Sequence, residues 1–280
     1  MSETTNALGP EDYREPNCPL CEKPYGFEAP VMPVPQQRII QKLDEYMSRR
    51  DYAGAERHLL YWLEEARLGR DLRGELVVSN ELIGHYRKTG KRGEALRFVD
   101  RALRLLEVLD FGGTRSAGTT YVNAATACSA FGENERALAL FEKAREIYES
   151  LPDVGAQLLG GLYNNMGLCC KALGRYADAY ALFDKAMAQM ARFPGGVLEQ
   201  AITCLNIADA VAAEQGLEQG EGRIFALLDR ASELLHDPSA PHDGYYAFVC
   251  EKCAPSFAYY GYFLEAQALE QEAKKIYERA

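Results

Sequence analysis

The sequence repeats itself. Ala179, Phe183 and Ala186 lie at i, i+4 and i+7, which puts all three on one face of a helix. Ala137, Phe141 and Ala144 repeat the trio 42 residues earlier, and Ala95, Val99 and Ala102 stand a further 42 before them. Gly174, Gly132 and Gly90 precede the three sets at one common offset. Such a period constrains the fold more than local propensity does. Each unit is too small to bury its apolar face alone and must stack on copies of itself.

The signal weakens outward. Ala55, Leu59 and Trp62 lie 40 residues before the Ala95 set, and Ile224, Leu228 and Ala231 lie 45 after the Ala179 set. Ala266 and Ala273 come 42 further on, behind Gly261 and Phe263. Six units result, over residues 36–70, 71–112, 113–154, 155–196, 197–240 and 241–280. The residue types have reasons. Alanine early in the second helix of a unit permits close approach to the first, and a large residue four positions on fills the gap above it. The glycine between the helices takes the left-handed backbone that closes a helix C-terminus.

Breaks fall where the period needs them: Gly-Gly in residues 110–114, Pro-Asp in 151–155, Pro-Gly-Gly in 193–196 and the longest, HDPSAPHDG, in 236–244. Residues 1–35 stand apart as a tail or small cap. They hold seven of the twelve prolines, with six acids against two bases.

The pattern resembles the tetratricopeptide repeat. Tyr163, Met166-Gly167, Ala179, Phe183 and Ala186 match its aromatic, Leu-Gly, alanine, aromatic and alanine positions, while Cys170 stands where tyrosine is usual. The resemblance covers about residues 35–280. The period of 42 exceeds the usual ~34, a difference that about one extra turn per helix supplies. This long class is similar to the repeats of kinesin light chains and of bacterial peptide-sensing regulators. It implies an all-α, right-handed superhelical solenoid of about twelve helices, whose concave groove binds protein or extended peptide, with a peptide-sensing regulator that changes shape on binding as the alternative.

The register of that family puts Asn80, Gly84, Arg87 and Lys88 of repeat two in the groove. It adds Thr119, Val122, Thr126 and Ser129 of repeat three, and Gly161, Asn164, Leu168 and Lys171 of repeat four. Asn80 and Asn164 are the candidate clamps for peptide units, since an amide both donates and accepts. Arg87, Lys88 and Lys171 favour acidic groups. Asn123, Asn165 and Asn206, one position along, are read as structural bonds to the neighbouring repeat.

The formal net charge of −10 shows no basic footprint for nucleic acid, and no apolar run reaches the ~18 residues that cross a bilayer. The polar, acidic start lacks a secretory pattern, which favours a cytoplasmic protein with reduced thiols. No GxSxG or HExxH motif occurs, and Gly84–Lys91 is a poor match to a phosphate loop, so no enzyme is expected. His58, His85, His236 and His242 share no spacing and are assigned to surface helices or loops.

Two CxxC pairs provide a rival reading. Cys18 and Cys21 lie in the tail, and Cys250 and Cys253 near the far end, just before Pro255, which is expected to break the helix. Together they would supply four thiolates for zinc, or a redox pair. The plainer reading makes Cys250 and Cys253 core residues of the last repeat, as Cys128, Cys169, Cys170 and Cys204 are of theirs, and expects no cofactor. Tyr245, Tyr246, Phe248, Phe257, Tyr259, Tyr260, Tyr262 and Phe263 crowd the same segment, as a closing core or as an exposed patch.

Overall fold

The structure is a computed structural model and describes residues 31–193 and 195–279. Those residues form twelve α-helices and no strand. They are α1 (Gln36–Ser48), α2 (Tyr52–Leu68), α3 (Leu72–Lys88), α4 (Arg92–Val108), α5 (Arg115–Ala130) and α6 (Asn134–Ser150), then α7 (Ala156–Ala172), α8 (Tyr176–Met190), α9 (Gly196–Gln215), α10 (Leu217–Leu235), α11 (Gly244–Tyr259) and α12 (Phe263–Tyr277). The chain divides into two compact units, Met1–Val78 and Ser79–Ala280, with the division inside α3.

In the first unit α1 packs on α2 through Ile39, Leu43, Leu59 and Leu63, all buried. Asp71 is also buried. Its carboxylate accepts the Val34 N–H at 2.9 Å and the Gly74 N–H at 2.9 Å, pinning the chain ahead of α1 to the first turn of α3. Trp62 is half-buried rather than central. Leu63 and Ala66 take the core positions instead, because α2 turns its face by one residue.

In the second unit α5 pairs with α6, α7 with α8, α9 with α10 and α11 with α12. The first helices of the pairs also stack in one layer, α5 on α7, α7 on α9 and α9 on α11. The repeated trios explain this packing. Ala137, Phe141 and Ala144, like Ala179, Phe183 and Ala186, are at most 1% exposed. A Cβ on Gly167 would lie 2.6 Å from the Phe183 ring, so the glycine lets α7 and α8 close on each other. Gly118 plays the same part against Tyr148.

The turns are equally regular. Gly90, Gly132, Gly174 and Gly261 have φ of +71°, +81°, +72° and +87°. The N–H of each next residue returns to a carbonyl five positions back: Lys91 to Tyr86, Glu133 to Cys128, Arg175 to Cys170 and Tyr262 to Phe257, at 2.8–2.9 Å. This is a Schellman closure repeated four times. Helices of 15 to 20 residues supply the long period, and the 45-residue step coincides with the longest pair, α9 and α10, joined by Gly216 alone.

Two local expectations are corrected. Pro255 does not break α11, which runs through it to Tyr259. Proline removes one donor from the ladder, but Cys253, Ala254 and Phe257 bury the surrounding turns and hold the helix. His85 is not at the surface. It is 4% exposed, with its ring 5.3 Å from that of Tyr86.

Candidate ligand-binding face

The candidate side chains lie on the first-helix layer of the second unit. Asn80 donates through Nδ2 to Thr120 Oγ1 at 2.9 Å, and its Oδ1 accepts from Asn123 Nδ2 at 3.2 Å. Asn164 accepts on Oδ1 from Thr203 Oγ1 at 3.2 Å and from Asn206 Nδ2 at 3.0 Å. The same bonds that tie Asn123 and Asn206 to the preceding repeat thus engage the two side chains expected to clamp a ligand. Asn80 and Asn164 thus hold inter-repeat bonds, because a partly or fully buried amide must satisfy itself within the fold.

Thr119, which is exposed, and Thr126, half-buried, bond back to their own helix. Thr119 Oγ1 donates to the Arg115 carbonyl at 3.1 Å and meets the Tyr148 hydroxyl at 2.9 Å, while Thr126 Oγ1 donates to the Val122 carbonyl at 2.7 Å. Arg87 and Lys88 are exposed on the last turn of α3. Lys171, on the last turn of α7, reaches Asp209 of α9 at 4.0 Å, the limit of an ion pair.

Lys171 opens onto a recess of about 500 Å³ where α7, α9 and α11 come together. Its walls include Asp209, Ala213, Pro255, Tyr259 and Tyr260. Tyr260 donates its hydroxyl to Asp209 Oδ1 at 2.8 Å. The Tyr259 and Tyr260 rings meet edge to face, with centroids 4.9 Å apart and planes at 83°. Burial, then the Asp209 carboxylate, pushes the Tyr260 phenol well above its ordinary pKa, so it stays a donor at neutral pH. At the other end of the α9–α11 seam, Tyr245 donates to Glu199, whose carboxyl burial pushes up while Lys252 opposes the shift.

The aromatic segment therefore splits between its two readings. Tyr246 and Phe257 are buried in the last repeat, at 1% and 0% exposure, and Phe248 and Tyr259 stand out at 49% and 70%. Asp209 escaped the sequence reading because it shares no repeat register with Lys171, 38 residues before it. The crowding of aromatics was the only signal for Tyr259 and Tyr260.

The six described cysteines are buried. Burial raises the thiol of Cys250 to about 11 and that of Cys253 to about 12, which keeps both protonated near neutrality. Among the described residues no group of three or more His, Cys, Asp or Glu side chains is placed to hold a metal ion. Cys18 and Cys21 lie outside the described residues. No helix among the described residues is long and apolar enough to cross a membrane.

Antiparallel helix pairs stacked on a period of about 42, each closed by a left-handed residue, define an α-helical repeat protein. A model of the tetratricopeptide repeat matches residues 75–150, so that stretch is similar to tetratricopeptide repeats. Several solved structures are similar to this chain. A putative kinesin light chain from Podosopora anserina, with nearly identical tetratricopeptide-like repeats, is 17% identical over 71% of this chain and 92% of its own, with a TM-score of 0.47. BtubC from P. vanneervenii is 16% identical over 87% and 91%, with a TM-score of 0.47. A Rap protein complexed with Competence and Sporulation Factor is 14% identical over 85% and 73%, with a TM-score of 0.50. At these identities the likeness is one of fold. No curated protein matches the sequence.

Proposed function

We propose that this chain is a non-catalytic scaffold that binds another protein through an extended segment laid across the first helices of repeats two to six. The recess between α7, α9 and α11 carries the reading. It is concave, joins exposed aromatic surface to a few fixed polar groups, and lies on the face that solenoids of this class use for recognition. Arg87, Lys88, Thr119, Thr126 and Lys171 border its approach, while Asn80 and Asn164 hold the repeats that shape it. The partner is a polypeptide; neither nucleic acid nor membrane enters the proposal, and a cytoplasmic setting fits the buried protonated thiols.

A second reading is favoured by the Rap likeness, since that protein is complexed with a factor. In it, binding changes the angle between successive repeats. The Asn164–Asn206 and Asn80–Asn123 ties are the bonds that such a change would strain.

The test places a photo-crosslinking residue at position 119, 171 or 259, and at the exposed position 184 on α8 as a control. The full chain then captures its partner from native cells. Cross-links from 119, 171 and 259 but not from 184 support the reading. Cross-links confined to 184 would overturn it.

A further inference from the structure

The Lys171–Asp209–Tyr260 recess has a chemistry of its own, and the role assigned to it rests on the groove reading. Two tyrosine rings stand edge to face, with centroids 4.9 Å apart, beside a carboxylate. Tyr260 anchors that carboxylate at 2.8 Å through Oδ1, and the ion pair of Oδ2 with Lys171 is stretched to 4.0 Å. Tyr259 is 70% exposed, so its ring is available to a ligand.

Two further features give the recess a negative character. It sits at the last turns of α7 and α11, where carbonyl groups collect the negative end of the helix dipole. The surrounding chain is acidic: residues 197–259 hold ten Asp and Glu against three Lys and Arg, an excess that draws cations toward this end. The opposite end of the layer, around Arg87 and Lys88, is basic. The stretched Lys171 pair is a weak rival, because at 4.0 Å it is at the limit of an ion pair and makes no hydrogen bond of normal length.

We propose that this recess is a subsite for a basic side chain, lysine or arginine, of the extended peptide bound along the groove. The cation lies against the face of Tyr259 and pairs with Asp209, while Tyr260 keeps the carboxylate aimed at it. Lys171 swings toward solvent as the pair exchanges. The polarity of the face then sets the direction of the ligand, with acidic residues toward α3 and the basic residue toward α11.

The test is a random decapeptide library selected on the full chain, compared with Asp209→Asn and Tyr259→Ala. Asparagine keeps an acceptor for Tyr260, and position 259 is exposed, so both variants fold; circular dichroism confirms it. The expected result is enrichment of Lys or Arg at one position of the wild-type binders. For a selected basic peptide, affinity falls about tenfold in each variant, the size of a good cation–π or charge-pair contact. Binders with no basic preference, with an acidic one, or with a basic preference that Asp209→Asn leaves intact would overturn the subsite and leave the groove reading standing. A library that yields no binders would remove both.

Discussion

Asn164 Oδ1 accepts a hydrogen bond from Asn206 Nδ2 at 3.0 Å, across 42 residues of chain, one full repeat. The tie sits where α7 meets α9, beside a second bond from Thr203. Replacing Asn164 with alanine takes the acceptor from Asn206 Nδ2, while Thr203 keeps its bond to the Glu199 carbonyl at 2.8 Å. We expect stability to fall by about 1–3 kcal/mol, the usual cost of orphaned buried polar groups. Urea unfolding measures it; an unchanged midpoint would mean that water replaces the amide.

Gly167 and Gly84 make a matched pair. A Cβ on Gly167 meets Phe183, which is fully buried and has nowhere to retreat, whereas a Cβ on Gly84 meets nothing within 4 Å. Gly167→Ala should destabilise by about 1–3 kcal/mol through overpacking. Gly84→Ala, in a helix interior, should stabilise by about 0.5–1 kcal/mol. Gly167→Ala combined with Phe183→Leu recovers part of the loss; equal Tm values for all the variants would refute the close approach of α7 and α8.

Alkaline pH should weaken the fold. Burial, reinforced by Glu149, raises the Tyr163 phenol to about 12, and burial with Glu214 does the same for Tyr180. Cys169 and Cys204 are raised to about 11 by burial. A group whose folded pKa is raised keeps its proton longer in the native state than in the unfolded chain. Its contribution is therefore full below the unfolded value and is lost as pH rises through the folded one. For the cysteines the window runs from about 9 to about 11, and for the tyrosines from about 10 to about 12. Thermal unfolding between pH 7 and 11 should show a steady loss of Tm above pH 9, and Tyr163→Phe should flatten its upper part. A Tm independent of pH would show that these groups are hydrated.

Metal content decides the CxxC reading. Cys250 and Cys253 are protonated, buried side chains one helical turn apart on α11. We expect protein purified without chelator to carry less than about 0.1 equivalent of zinc, because both thiols are buried and protonated; a structural site would bind far too tightly for its metal to be lost in handling. Stoichiometric zinc that disappears in Cys250→Ser would assign a metal role to this pair.

The repeat was legible because its cause is local and recurrent. The Ala-Phe-Ala trios, the turn glycines at 90, 132, 174 and 261 and the breaks between repeats each arise from one helix packing on the next, so periodicity alone exposes them. The sequence by itself thereby determined the all-helical class and the pairing of helices. Tertiary structure decided what those rules leave open. It chose Leu63 over Trp62 for the core, buried His85, carried α11 through Pro255 and divided the aromatics between core and surface. It also turned Asn80 and Asn164 toward the next repeat and brought Asp209 to Lys171 and Tyr260. The reason is geometric. A period reports what each repeat has in common, whereas a site is built from what differs between repeats, and only the stacked helices place those differences side by side.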